Sequence, residues 1–369
     1  MVIVFAALLV YIILLIVLLI GLNKTVTEEV ASDTRIHSIS IIIPFRNEID
    51  HLPNLIESLQ SQDYPSFEVI FVDDHSADGG DALVGKKCHA DKRFHRIRAT
   101  GQGKKSAITD GIRAANGEIA VTTDADCTFG PRWLSELNRP FSDEKVMLTF
   151  GPVHMKRGTT LFQGLQQIEF ASVMGSGIAM FGLGHPLYCN GANLAYRKEV
   201  FEELGGFEGN QHVASGDDQF LLDKIKSNYD DGVFFLNAGD ALVSTMPQTT
   251  LKGFVHQRIR WAGKWSSAMN NFGKALAVVI FLVQFVTIAS WWLMVSNPSP
   301  GLLVMISVKL LLEFILISTT MAAAGQRTSF LHFMILQLIY PFYVIAIGLL
   351  ANFASFEWKG REHPPLQRI

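Results

Sequence analysis

A chain of 369 residues that is 49% hydrophobic and only 18% charged is too apolar for an average soluble domain. Its formal net charge of −3 excludes the basic surface of a nucleic-acid binder, so no nucleic-acid partner is expected. The three cysteines, Cys88, Cys127 and Cys189, are odd in number and form no Cys-x-x-Cys pair, which reads as reduced thiols and not as a disulfide framework or a zinc site.

In chain order, residues 1–22 carry no charged side chain. About 20 apolar residues suffice to span a bilayer as a helix. No basic leader or small-x-small cleavage site marks a signal peptide, so a retained N-terminal transmembrane helix is expected. Lys24 and Arg35 follow it and favour a cytosolic location for the next segment, at a bacterial-type inner (plasma) membrane.

Residues 24–270 read as a soluble α/β domain. The strand "SISIIIPF" is followed by the helical spacing of "DHLPNLIESLQ", the strand "FEVIFVDD", a helix near 79–90, the short strand "HRIRAT", the helix "KKSAITDGIRAA" and the strand "EIAVTTD". Such alternation predicts a mostly parallel sheet with helices on both faces. The segment 159–177 reads as a membrane-interface helix. Three further spans are expected at about 274–295, 300–323 and 328–352 within a C-terminal transmembrane region, 274–352, followed by a tail, 353–369. With one span before the domain and three after it, the tail falls outside. Its Lys359, Arg361 and Arg368 then break the positive-inside rule, unless one span is re-entrant, for which Pro341 supplies a breaking point. Lys309 and Glu313, four residues apart in an apolar helix, form either a self-neutralising pair or a contact with a headgroup or partner.

Ligands of such sheets bind at the carboxyl ends of strands. Two carboxylate pairs fall there: Asp73 and Asp74 end "FEVIFVDD", and Asp124 and Asp126 end "EIAVTTDAD". On a strand, i and i+2 share a face, so Asp124 and Asp126 repel unless a cation sits between them. Hard oxygen ligands select Mg²⁺ or Mn²⁺, and such sites commonly combine one or two carboxylates with substrate phosphates.

The motifs "IIIPFRNE" (41–48), "VDDHSADG" (72–79), "GKKSAITDG" (103–111), "TTDADC" (122–127), "NGANLAYRK" (190–198), "SGDDQFLL" (215–222) and "QRIRW" (257–261) stand in order. In this the chain resembles family 2 glycosyltransferases of the GT-A fold, in the membrane-anchored branch of ceramide glucosyltransferases, hyaluronan synthases and cellulose synthases. Where the family carries Glu-Asp, this chain has Asp217–Asp218. The resemblance implies that Asp74 accepts a hydrogen bond from the nucleobase, Lys104 approaches the nucleotide, Asp124 contacts the ribose–diphosphate and Asp126 binds the metal. Asp218 is then the base that takes the acceptor hydroxyl's proton in an inverting transfer, with Asp217 as a helix cap. Gln257, Arg260, Trp261 and Lys264 recur at i, i+3, i+4 and i+7 and share a helical face. Its cations suit a leaving diphosphate and Trp261 a sugar ring. Arg258 and Trp265 are left to the membrane surface. His185 reads as a structural histidine or as part of an acceptor pocket. The expected partners are a nucleotide-sugar donor, by resemblance a UDP-sugar, and a membrane lipid acceptor. A processive polysaccharide synthase acting on a growing glycan and an inactive membrane assembly subunit are the alternatives. A homo-oligomer or a partner subunit is compatible with each.

Overall fold

A computed structural model describes residues 1–25, 35–210, 216–267 and 271–364. The elements run α1 (Val2–Lys24), β1 (Ile39–Phe45), α2 (Leu52–Gln60), β2 (Phe67–Asp73), α3 (Gly80–Ala90), β3 (Phe94–Arg98), α4 (Lys104–Ala114), β4 (Ile119–Thr122), β5 (Thr128–Phe129) and α5 (Trp133–Asn138). They continue with β6 (Leu148–Phe150), β7 (Val153–Met155), α6 (Leu161–Gly182), β8 (Leu194–Arg197), α7 (Lys198–Glu203), α8 (Asp217–Asn228), β9 (Val233–Phe235), β10 (Val243–Thr245) and α9 (Leu251–Ser267). Last come α10 (Asn271–Ser296), α11 (Pro300–Ala323), α12 (Phe330–Leu350), β11 (Phe356–Trp358) and β12 (Arg361–His363). The chain divides into two compact units: Glu28–Val153 with Tyr188–Met246, and Met1–Thr27 with His154–Leu187 and Pro247–Ile369.

The first unit is built on a seven-stranded sheet of order β3-β2-β1-β4-β8-β6-β9. β1 pairs parallel with β2 and β4, and β2 with β3. The expected parallel core is therefore present, and β8 interrupts it by running antiparallel to both β4 and β6. The run Ile41-Ile42-Ile43 is completely buried, as a strand covered on both faces requires. α4 lies directly on this core: a Cβ on Gly111 would fall 2.5 Å from Ile42 and 3.1 Å from Val72. The close approach brings the N-terminus of α4 to the carboxyl ends of β1 and β2. Two non-glycine residues with left-handed backbone, Asn47 (φ 51°) and His75 (φ 58°), follow those same strand ends, a conformation that costs energy and clusters at binding sites.

The second unit is helical. α1, α10, α11 and α12 are each long and apolar enough to cross a membrane. α6, expected over 159–177, extends to Gly182 and starts on Thr160, whose side chain accepts from the Gln163 N–H, a standard N-cap. It packs against α1, α11 and α12. Gly21 and Gly182 let α1 and α6 touch backbone to backbone, since a Cβ on Gly182 would meet the Gly21 carbonyl at 2.0 Å. Lys309 and Glu313 do form an intrahelical pair at 2.8 Å, and two other helices join it: Tyr11 Oη donates to Glu313 at 2.8 Å and Lys309 donates to Gln337 at 3.2 Å.

Gly111→Ala tests the seat of α4. Overpacking of this kind costs about 1–3 kcal/mol, so the variant should melt at a lower temperature than the parent in the same detergent. An unchanged melting temperature would show that α4 sits less tightly on β1.

Candidate active site

Within the sheet unit, four elements converge on one ammonium group. Lys104 is the first residue of α4, after Gly103 (φ 92°). Its Nζ donates to Asp124 Oδ1 at 2.7 Å and lies 3.5 Å from Asp217 Oδ2. Burial works against its charge, but Asp124 and Asp217, helped by Asp218, outweigh burial and hold the ammonium's pKa above its ordinary value. Gly191 sits among these groups, where an added Cβ would fall 3.3 Å from both Lys104 Nζ and Asp217 Oδ2.

Asp74 is buried, and both its carboxylate oxygens accept from the Gly103 N–H, at 3.2 and 3.1 Å. The carboxylate thus clamps the turn that presents Lys104. It does not cap α3; Asp78 serves that turn, accepting from the N–H groups of Gly80 and Ile49 at 2.9 and 2.8 Å. Arg46 ties the same loop down by donating to the carbonyls of Asp74 and His75.

Asp124 and Asp126 do not share a strand face. β4 ends at Thr122, and the chain then turns, with the Cys127 N–H donating to the Asp124 carbonyl at 3.1 Å. The strand-parity expectation fails because the carboxylates lie beyond the last ladder bond. They acquire different partners: Asp124 meets Lys104, while Asp126 Oδ2 accepts from Thr245 Oγ1 at 3.3 Å. Lys104, a side chain of the protein, is therefore a cation that relieves Asp124. Among the described residues no three His, Cys, Asp or Glu groups converge to hold a metal unaided. Asp124 and Asp126 are both partly exposed. This donor set fits a hard cation only if substrate phosphates and water complete its shell.

Asp217 and Asp218 open α8 after Gly216 (φ 82°), and no side chain caps that helix. The expectation that Asp217 is the cap is corrected: its carboxylate turns to Lys104. Asp218 instead meets two backbone amides, Oδ1 accepting from Gln219 N–H of α8 at 2.9 Å and Oδ2 from Gly191 N–H in the turn before β8 at 3.3 Å. Asp74, Lys104, Asp124 and Asp218 are thus linked through Gly103, Asp217 and Gly191. Sequence reasoning missed the two glycines as site residues. The N-G turn ahead of β8 and the left-handed demand before α4 were the available signals.

Gln257, Arg260 and Trp261 lie on α9 in the helical unit. The side chains of Lys264 and Trp265 lie outside the described residues. Arg258 does not face the membrane surface as expected. It is 3% exposed and forms a buried, two-pronged pair with Glu169 of α6. Tyr343 Oη also donates to Glu169 at 3.2 Å. The guanidinium donates to Gln257 Oε1 and lies over Trp261 at 4.2 Å. Arg258 thereby immobilises two of the three motif side chains. The third, Arg260, lies over the Trp358 ring at 5.5 Å. His185 follows the end of α6, is exposed and lies beside Phe272 with ring centroids 5.7 Å apart.

Residues 40–205 match the family described as glycosyl transferase family 2. The hyaluronan synthase of Streptococcus pyogenes is 28% identical over 174 residues, 44% of this chain and 41% of that one. An N-acetylglucosaminyltransferase of Mesorhizobium japonicum is 26% identical over 239 residues, 61% of this chain and 55% of that one. This chain thus spans about half the length of these relatives. Among solved structures, a mannosyltransferase from Pyrobaculum calidifontis, in complex with GDP-Man and Mn²⁺, superposes with a TM-score of 0.51 at 17% identity, over 94% of this chain and 95% of that one; the likeness is one of fold.

Arg258→Met should lower the melting temperature strongly, because it strands a buried carboxylate at a cost of about 3–5 kcal/mol. The double variant Arg258→Met, Glu169→Leu should recover most of the loss, since an apolar replacement of both partners leaves no unpaired charge. A double variant no more stable than the single one would show that the pair is not an isolated buried couple.

Proposed function

We propose, from the premise that this chain carries a glycosyl transferase family 2 domain of the GT-A fold, that it transfers a sugar from a nucleotide-diphospho donor to a membrane lipid. The observation that carries this reading is the cluster of Asp74, Lys104, Asp124 and Asp218 at the carboxyl ends of β2 and β4, where an α/β sheet receives a nucleotide. A UDP-sugar is the proposed donor.

The buried Asp74 carboxylate holds the Gly103 turn and, in this reading, also accepts from the base. Lys104, held between Asp124 and Asp217, is positioned to turn to a phosphate oxygen, leaving Asp124 to the ribose–diphosphate. Asp126, with Asp124 beside it in the chain, would hold Mg²⁺ or Mn²⁺; when bound, the ion neutralises charge on the diphosphate. Asp218 is the proposed base. Two N–H groups fix its carboxylate, and it takes the proton of the acceptor hydroxyl as that oxygen attacks the anomeric carbon from the face opposite the diphosphate. On the motif alone, Gln257, Arg260 and Trp261 serve the leaving diphosphate and the acceptor sugar.

A lipid acceptor is supported by the helical unit. Several polar side chains in its apolar helices bond to one another or to their own helix: Tyr11, Lys309, Glu313 and Gln337 as one network, and Gln284, Thr287, Ser290 and Thr320 to carbonyls one turn back. None of these groups is left to line a polar path for a growing glycan. The likeness to a hyaluronan synthase favours the second reading, processive synthesis.

Three measurements on purified enzyme test the proposal. A panel of nucleotide sugars with Mg²⁺ or Mn²⁺ should release nucleoside diphosphate from a UDP-sugar, with a lipid-linked product of one or very few sugars by mass spectrometry; a long polymer without a lipid end would establish the processive reading instead. Asp218→Asn should lower kcat by about 10²–10⁴-fold, the usual share of a general base, with nucleotide affinity nearly unchanged. Chelation should abolish turnover and added Mn²⁺ restore it, except in Asp126→Ala; undiminished turnover in chelator removes the metal.

A further inference from the structure

The last apolar helix, α12, keeps company that a membrane-crossing helix does not. α10 and α11 are joined by residues 297–299 alone, so they run in opposite directions. A straight helix crossing beside them would be antiparallel to one and parallel to the other. α12 meets first α11 and then α10. In its first half Phe330 and Phe333 both meet Phe314 (ring centroids 5.8 and 5.2 Å apart) and Gln337 meets Lys309, so α12 crosses α11 over one short stretch. In its second half Phe342 meets Trp291 at 6.2 Å and Gly348 lies against the Phe281 ring, so α12 now ascends as α10 descends. A helix crossing back from the end of α11 would run parallel to α10; these contacts run the other way, and the change of neighbour falls between Gln337 and Phe342. Pro341 lies there, inside the helix and buried, and a proline removes one helical hydrogen bond and favours a bend.

The other side of α12 says the same. His332 lies against Gly164 near the start of α6, and Phe333 and Leu336 pack on Ile168. Tyr343 reaches Glu169 and stacks near Phe254, and Ile347 packs on Ile259 of α9. Both ends of α12 thus rest on α6 and α9. A 21-residue helix is about 30 Å long, the thickness of the hydrocarbon core, so crossing would carry one end away from that pair. α9 carries Lys252, His256, Arg258 and Arg260 and does not lie in hydrocarbon at acceptable cost. The β11–β12 hairpin that follows α12 docks on this same helix: Lys252 pairs with Glu357 at 3.0 Å, His256 Nδ1 accepts from the Glu357 N–H, and Trp358 lies under Arg260.

We infer that α12 does not cross the bilayer: it is a re-entrant helix seated in the leaflet on the α9 side, and it returns the β11–β12 hairpin to the side on which α9 lies. Its partner surface is the acyl layer of that leaflet, met by the exposed Leu338, Ile339, Phe342 and Leu349, continuous with the exposed apolar faces of α10 and α11. The chain then crosses three times, by α1, α10 and α11. This placement also removes the charge conflict, because Lys359 and Arg361 come to the same side as Lys24 and Arg327. The inference rests on α10 and α11 being bilayer spans and does not depend on the sugar chemistry.

Single cysteines at Lys252, Asn297 and Glu362, each in a background with Cys88, Cys127 and Cys189 changed to Ser, are probed with a membrane-impermeant maleimide on intact and on permeabilised cells. Lys252→Cys and Glu362→Cys should label alike, and Asn297→Cys oppositely. Labelling of Glu362→Cys together with Asn297→Cys overturns the inference. Labelling of all three from one side overturns it too, by removing α10 and α11 as spans. Protease digestion of a C-terminal tag on the otherwise unaltered chain, in right-side-out and inverted vesicles, gives the same answer without substitution: cleavage on the Asn297 side refutes it, and cleavage on the Lys252 side supports it.

Discussion

The ion pair of Lys104 with Asp124 and Asp217 is the interaction on which the candidate site depends. Three carboxylates, Asp124, Asp217 and Asp218, approach one another at the ends of β4 and α8, and without an internal cation their mutual repulsion would push those ends apart. The position of the ammonium is set in turn by backbone. Gly103 takes a left-handed φ of 92° that a side chain would resist, its N–H is held by Asp74, and Gly111 lets α4 sit on β1. A buried carboxylate, two glycines and a lysine form one device.

The same arrangement suits a site that must accept charge. Under the proposed function, a diphosphate arriving at Lys104, which already carries two anionic partners, would exchange one set of oxygens for another, and no bare cation would have to be desolvated. Asp218 stands beside that exchange but is held by amides of α8 and of the Gly191 turn, so its orientation does not hang on where Lys104 points. Under that proposal, binding and proton transfer would have separate supports within one small volume.

In the helical unit the corresponding constraint is the buried pair of Arg258 with Glu169. Two charges that far from water are tolerated when every lone pair and N–H finds a partner, and here Gln257, Trp261 and Tyr343 supply contacts around them. The motif on α9 is therefore fastened to α6 and α12 through a residue that the motif itself leaves unspecified. The polar network of Tyr11, Lys309, Glu313 and Gln337 ties α1, α11 and α12 in the same manner.

Much was legible in the residues. The triple isoleucine of β1, the alternation of strands and helices, the long apolar helices and the carboxylates at strand ends follow from local periodicity and from chemistry that a short window contains. The sequence motifs also picked out Asp74, Lys104, Asp124 and Asp218, which the structure links through Gly103, Asp217 and Gly191. What a window does not contain is the partner of each charge. The strand stops at Thr122, so the parity that put Asp124 and Asp126 on one face did not apply. Asp217 found Lys104, 113 positions away in the chain, in preference to the helix end beneath it. Arg258, which looked like a surface residue on an amphipathic helix, found Glu169. Hydropathy counts apolar residues and so marks α12 as a span, but it is blind to direction; only the contacts of α12 with both α10 and α11 bear on where it turns. Sequence determines which segments must be buried and which groups must be neutralised, because those are local demands. Tertiary structure alone decides which group neutralises which, because the pairing depends on distances between segments far apart in the chain.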